Sequence, residues 1–221
     1  MPSLTRHWIC LTAPLLAASA LFAADPLIDN EQVRVVMAND QPHHKGAPHE
    51  HPVNRVMIYL DAGRQEIVSA DGKKTILEFQ PGEVKWSPAS GTHTSEIVTD
   101  TAVRILEIEL KKPGDPKKTA DCDLHPLHAA PAQAKLEFEN EQVRVFRVKV
   151  TSHGTLAMHE HVVNKIAVNL APVDERITTA AGQVSMVHET TVAAAWGGPV
   201  KHREENIGDR PMETLVIELK N

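Results

Sequence analysis

The chain has 221 residues, a formal charge of −6 and only 4% aromatic residues. Length allows two modest domains. The mild acidity and the lack of a basic block argue against nucleic acid as a partner, and the few aromatic residues argue against a stacking groove for sugars or bases.

The first two dozen residues read as a secretory signal. Arg6 gives a positive start, Trp8 to Phe22 is apolar apart from Thr12 and Ser19, and small residues follow. The apolar run is too short for a membrane span and leads directly into polar sequence. Cleavage is compatible with Ala20, Ala23 or Ala24; residues 1–23 are taken as the signal. The expected location is therefore periplasmic or secreted, with no membrane partner once the signal is gone. Arg6 leaves with the signal, so the mature charge is −7 over about 198 residues. Cys10 leaves too, and Cys122 has no partner for an internal disulfide despite the oxidising destination.

From Leu27 onward the chain reads as short strands. Val33–Met37 is β-branched, Gln41–Pro48 is a loop rich in Pro, Gly and His, and Val53–Leu60 is a second apolar strand. Ala62-Gly63 and Asp71-Gly72 are turn signals flanking a strand at Glu66–Ser69. Thr75–Phe79, a Pro81-Gly82 turn and Val84–Trp86 follow. A loop over Ser87–Thr92 then precedes strands at Ser95–Val98 and Val103–Leu110, the last with Leu106, Ile108 and Leu110 on one face. Short strands between frequent turns, with no long helical period after the signal, predict an all-β sandwich or barrel. Residues 111–134, rich in Pro and Lys, read as a solvated linker with a free thiol rather than as a metal clip made from Asp121, Cys122, Asp123, His125 and His128.

The second half repeats the first. Asn30-Glu31-Gln32-Val33-Arg34-Val35 recurs as Asn140-Glu141-Gln142-Val143-Arg144-Val145, 110 residues later. His49-Glu50-His51 recurs as His159-Glu160-His161 and Trp86 as Trp196 at the same offset, and His93 recurs as His202 at 109. The domains are thus 27–110 and 135–221, two copies of one module. Copy two drops the Pro-Gly turn and places Thr190–Ala195 there.

Two histidines at i and i+2 on a strand point to one face, and a third from a distant strand completes a cluster if the sheet curls. The spacing from second to third histidine is 42 residues in one copy and 41 in the other. Three neutral imidazoles with open positions suit a divalent transition metal: Fe, Mn, Ni, Cu or Zn. The candidate ligands are His49, His51 and His93, and His159, His161 and His202. No catalytic acid or base can be named. His43 and His153, also paired at 110, read as exposed loop histidines. Alternation points Glu50 and Glu160 away from the cluster. Glu96 and Glu205 read as partners of Arg or Lys, and Trp86 and Trp196 as barrel packing. The sequence has no Gly-x-Ser-x-Gly elbow, no phosphate loop and no His-Glu-x-x-His.

Taken together, Gly46 or Gly154, the His-x-His pair, a strand, a turn and a late histidine in Pro88-Ala89-Ser90-Gly91-Thr92-His93, more loosely Pro199-Val200-Lys201-His202 followed by Asn206, resemble the two motifs of the cupin superfamily. Two copies resemble a bicupin, which implies two tandem double-stranded β-helix barrels with a metal inside each. It also implies a small-molecule ligand and allows a homodimer. Cupins usually place a glutamate four or five residues after the second His. Here Arg55 or Val56 and Lys165 or Ile166 stand there. Val56, Ile58, Leu60 and their counterparts are apolar in both copies, so this set is expected to face the core, with Arg55 and Lys165 facing out. That parity requires a phase change, expected as a bulge near Pro52–Asn54, and leaves the glutamate slot to Val56 and Ile166. The functional expectation is a metal-dependent enzyme, dioxygenase-like, acting on a small oxygenated or acidic molecule. The alternative is a non-enzymatic protein of the same fold that holds a metal or small ligand.

Overall fold

The structure, a computed structural model, describes residues 25–221. The signal peptide read at residues 1–23 lies outside the described residues. Module one contains β1 (Ile28–Asp29), β2 (Val33–Asp40), β3 (His49–His51), β4 (Arg55–Tyr59), β5 (Gly63–Ser69), β6 (Lys74–Phe79), β7 (Val84–Ser87), β8 (Ser90–Ile97) and β9 (Val103–Leu110). A four-residue helix, α1 (Pro126–Ala129), precedes β10 (Ala134–Glu139), β11 (Val143–Val150), β12 (Thr155–His161) and β13 (Lys165–Asn169). Module two ends with β14 (Val173–Thr179), β15 (Val184–Glu189), β16 (Ala193–Gly197), β17 (Val200–Asn206) and β18 (Met212–Leu219).

Each module is a large sheet facing a small one. The large sheets run β1-β2-β9-β4-β7 and β10-β11-β18-β13-β16, and the small ones β3-β8-β5-β6 and β12-β17-β14-β15. All strand pairs in these sheets are antiparallel, and the duplication seen in the sequence is thus a duplication of topology. The strands match the sequence expectation with shifted bounds. The exception is the loop expected over Ser87–Thr92: β8 already begins at Ser90. Its first residues Ser90–Thr92 are exposed and polar, and His93 and Ser95 line a cavity, so it carries no apolar alternation to detect. Gly72 and Gly82 take φ of +83° and +79° in their turns. Gly63 sits inside β5 instead, where a Cβ would lie 2.8 Å from Val103 Cγ2.

The two large sheets are covered on both faces. One face of each packs on the other module, joining Val33, Val35, Val56, Ile58, Leu106, Ile108 and Leu110 to Val143, Val145, Ile166, Val168, Leu215, Ile217 and Leu219 in one buried layer. Reciprocal hydrogen bonds mark a pseudo-twofold relation: Asn54 Nδ2 donates to Gln142 Oε1 at 2.5 Å, and Asn164 Nδ2 to Gln32 Oε1 at 2.7 Å. The opposite faces line the module interiors, with Met57, Tyr59, Phe79, Ile97, Val103 and Ile105 in one and Phe146, Val148, Leu156 and Val216 in the other.

This corrects the parity expectation. Val56 and Ile58 do face a core, but the core shared between modules. Arg55 and Lys165 do not face out: they are 6% and 7% exposed and line the module interiors. No phase change near Pro52–Asn54 is needed, because the chain crosses there from small to large sheet with odd residues inward on both. The register irregularities fall instead between His49 and His51, and between Leu156 and His159.

The segment 111–134 also departs from a solvated linker. Ala120 and His125 are fully buried, α1 packs against β10 and β12, and His125 Nε2 meets Glu218 Oε2 at 2.9 Å. Cys122 is a free, half-buried thiol whose Sγ lies 3.6 Å from the Glu160 carbonyl oxygen. Among the described residues, no helix is long and apolar enough to cross a membrane.

Candidate metal centres

The small sheet of each module brings its three histidines together. Antiparallel pairing of β3 with β8 sets His49 opposite His93, and pairing of β12 with β17 sets His159 opposite His202. The second histidine of each His-x-His pair follows on the same face. Ring centroids are 4.6–5.2 Å apart in the first cluster and 4.4–5.4 Å in the second. In each cluster one ligand atom per residue lies within 4.8 Å of the others. All six histidines read from the sequence thus fall into two groups of three.

Each cluster borders a cavity inside its module. The first has a volume of about 760 Å³ and is lined by Arg55, Tyr59, Gln65, Lys85 and Glu107 among others. The second, about 420 Å³, is lined by Lys165, Glu175, Glu204 and an apolar wall including Leu156, Ile177 and Val187.

The surroundings of the clusters differ. In the first, His49 Nδ1 and His93 Nδ1 bond to the carbonyls of Ala47 and Gly91 at 2.9 and 3.0 Å. Arg55 Nη1 donates to His51 Nε2 at 2.9 Å and to Glu107 Oε2 at 2.8 Å, and Nη2 to Ser87 Oγ at 3.0 Å. Burial, then the adjacent guanidinium, pushes His51 down to about 3. Burial also raises the Glu107 carboxyl, against the pull of Arg55, and raises the Tyr59 phenol to about 12.

In the second cluster all three rings are buried. His159 Nδ1 bonds to the Ala157 carbonyl at 2.9 Å, and His161 Nδ1 to Glu218 Oε1 at 2.8 Å. Glu218 is fully buried and bridges His161 to His125, which fixes the ring orientation of His161. Desolvation lowers His159 to about 4 and His202 to about 2, and lowers His161 against the opposing pull of Glu218. The Nε2 of His202 is buried and has no hydrogen-bond partner. An orphaned imidazole nitrogen beside two others is the donor set a divalent transition metal takes, so these residues fit one.

Glu204 was not legible in the sequence. Its Oε1 lies 3.6 Å from His202 Nε2 and 4.0 Å from His159 Nε2. It shares the cavity with Glu175, and burial, then this like-charged neighbour, raises the Glu175 carboxyl far above its ordinary range. Burial likewise raises Glu204, partly opposed by Lys165. Both shifts favour a proton shared by the pair. In module one the corresponding positions are Gln65 and Ser95: Ile67 pairs with Ser95 as Ile177 pairs with Glu204. Comparing copies therefore hides the pair.

The remaining residues fall as expected from the sequence with two exceptions: Glu96 borders the first cavity and makes no ion pair among the described residues, and Trp196 is not packed away. Glu50 is exposed, and Glu205 pairs with Arg176 at 3.5 Å. His43 and His153 are exposed at φ of 54° and 55°, bonded to Asp100 and Asp209 at 2.9 and 3.1 Å. Trp86 packs on the shared core and lies 6.4 Å from Phe138, whereas Trp196 is 38% exposed.

No protein-family model matches the sequence, and no curated protein matches it. Solved structures do match in shape. AerE from Microcystis aeruginosa is 13% identical, with 89% of this chain and 97% of that one covered at a TM-score of 0.61. Oxalate decarboxylase from Bacillus subtilis, whose Mn(II) centres have been characterised, is 14% identical, with 86% and 69% covered at 0.58. A "cupin 2 conserved barrel domain protein" from Leptotrichia buccalis is 12% identical, with 87% and 86% covered at 0.52.

Proposed function

This chain carries the cupin barrel twice in tandem, and on that fold we propose an exported metalloprotein that holds a divalent transition metal in each barrel and acts as a metal-dependent oxidoreductase, dioxygenase-like, on a small oxygenated or acidic molecule. The observation that carries it is the convergence of His49, His51 and His93, and of His159, His161 and His202, each beside a cavity sized for a small molecule. The Mn(II) centres of oxalate decarboxylase make manganese the first metal to test. Export rests on the signal-like residues 1–23.

A bound ion supplies Lewis acidity, and redox chemistry where the metal is iron or manganese. The protein's own groups do the rest. In barrel one, Arg55 and Lys85 stand on the cavity wall among the acids Asp40, Glu96 and Glu107. In barrel two, the Glu175–Glu204 pair keeps a proton at a carboxyl oxygen within reach of the cluster, the positioned acid or base that catalysis needs. Barrel one has Gln65 and Ser95 at these positions, and this favours, for that barrel, a binding role without catalysis.

The test is metal content by mass spectrometry of protein recovered from the exported fraction. Wild type is expected to carry two ions per chain, and the His49→Ala/His51→Ala and His159→Ala/His161→Ala variants one each. Oxygen uptake is then measured on small acids and phenols. Wild type that stays metal-free after reconstitution with manganese, iron and zinc would end the metal reading. Two bound ions without turnover would leave the non-enzymatic alternative.

A further inference from the structure

We propose that the two clusters are unequal metal sites: the C-terminal barrel takes the first divalent ion, and Arg55 weakens the site in the N-terminal barrel. The inference rests on the metal-binding reading above and goes beyond it, because the duplication alone implies equal sites.

In the N-terminal barrel the chemistry is unambiguous about one lone pair. A guanidinium only donates, so the 2.9 Å contact from Arg55 Nη1 to His51 makes Nε2 the acceptor. A divalent ion bound through that nitrogen needs the same lone pair. The guanidinium is not idle elsewhere: Glu107 and Ser87 hold it at 2.8 and 3.0 Å, and its side chain is 7% exposed. An incoming ion must break this arrangement or leave one imidazole unused. It also meets a fixed positive charge at close range.

In the C-terminal barrel a cation, Lys165, also stands near the cluster, but it takes no imidazole lone pair. Glu218 takes the Nδ1 of His161 at 2.8 Å, so the ring keeps a proton there and presents Nε2 as a free lone pair. Lys165, at the position of Arg55, turns its Nζ to the Gly198 carbonyl at 3.2 Å. His202 Nε2 is buried with no partner. Glu204 adds a carboxylate oxygen 3.6 Å from that nitrogen. The three rings are buried here, whereas His49 is exposed and its neighbours are half-buried, so water competes less for the ion in this barrel.

Calorimetric titration with manganese(II) and, separately, zinc(II) tests this. Full-length mature protein is used, stripped with chelator. Wild type is expected to show two affinity classes at least tenfold apart. The His49→Ala/His51→Ala variant should keep the tight class and the His159→Ala/His161→Ala variant only the weak one. Adding Arg55→Met to the latter removes the donor at similar length, and is expected to tighten the remaining site at least tenfold. Its fold is checked by circular dichroism. Equal affinities in the two histidine variants overturn the proposal while leaving metal binding intact, whether or not the Arg55 variant folds. A well-folded Arg55 variant that binds no more tightly overturns the role of Arg55. A wild type that takes up neither ion overturns the metal reading itself.

Discussion

Burying an imidazole makes its protonation costly, and this protein buries several. Burial holds His51 at about 3, His159 at about 4 and His202 at about 2, and it lowers His161 as well. In the unfolded chain these groups titrate near 6.5. A folded value below the unfolded one means that the unfolded chain binds the extra protons as pH falls, so the stability is present above pH 6.5 and is lost below it. By pH 5, His159 and His202 should each cost about 2 kcal/mol. Glu218, held low by His125 and His161 against burial, adds a further loss below the ordinary carboxylate range. With chelator present, the melting temperature is expected to fall steeply from pH 7 to pH 5. The slope should be shallower in His202→Gln. A flat profile over that range contradicts the burial of these rings. The six histidines were legible because a repeat singles them out from a background of scattered histidines. Arg55 was not, because the alternation argument assumed a sheet with one wet face, and this sheet has none. Glu204 was not, because only what both copies share stands out, and its counterpart is Ser95.

At the level of strands, the cross-strand neighbours β14 and β17 force two carboxyl groups together inside the barrel. Glu175 is 6% exposed, and with Glu204 beside it the folded state keeps a proton that the unfolded chain releases above about 4.5. The folded value is raised, so the stabilisation is complete below that pH and is lost as pH rises through the folded value. Glu175→Gln supplies the hydrogen-bond donor without the proton. Urea unfolding at pH 8.5 should show the variant more stable than wild type by about 1–2 kcal/mol, with no gain at pH 5. An equal alkaline loss in both proteins would show that the carboxyl pair is not strained. The strands themselves were legible wherever apolar residues alternate between turns, as in Val103–Leu110, which is β9 to the residue. The segment 111–134 was not, since composition rich in Pro and Lys says nothing of one buried histidine. The partner that anchors His125 lies 93 residues further on, and no local pattern reports a contact at that distance.

At the scale of the molecule, the duplication has an energetic consequence that the sequence shows only in hindsight. The strictly apolar positions common to both copies, such as Ile58 with Val168 and Ile108 with Ile217, do not build two separate cores. They form the single layer between the large sheets, while each barrel interior is given over to a polar cavity and a smaller apolar cluster. Sheet on sheet with aligned apolar faces is a sandwich, and neither module has another place to bury that face. The modules should therefore unfold together. Trp86 and Trp196 sit on strands of different modules, Trp86 at the shared layer, so Trp86→Phe and Trp196→Phe give single-reporter mature proteins. Both are expected to show one coincident transition in denaturant. Ile58→Ala removes a fully buried side chain from module one and should lower stability by about 2–5 kcal/mol. The decisive readout is the fluorescence of Trp196 in that variant, because the reporter belongs to the module that was not mutated. If its midpoint moves with the rest of the protein, the shared layer couples the barrels into one folding unit, and a change in one barrel reaches the stability of the histidine cluster in the other. If module two keeps its wild-type midpoint, the layer is a docking surface between independently stable domains.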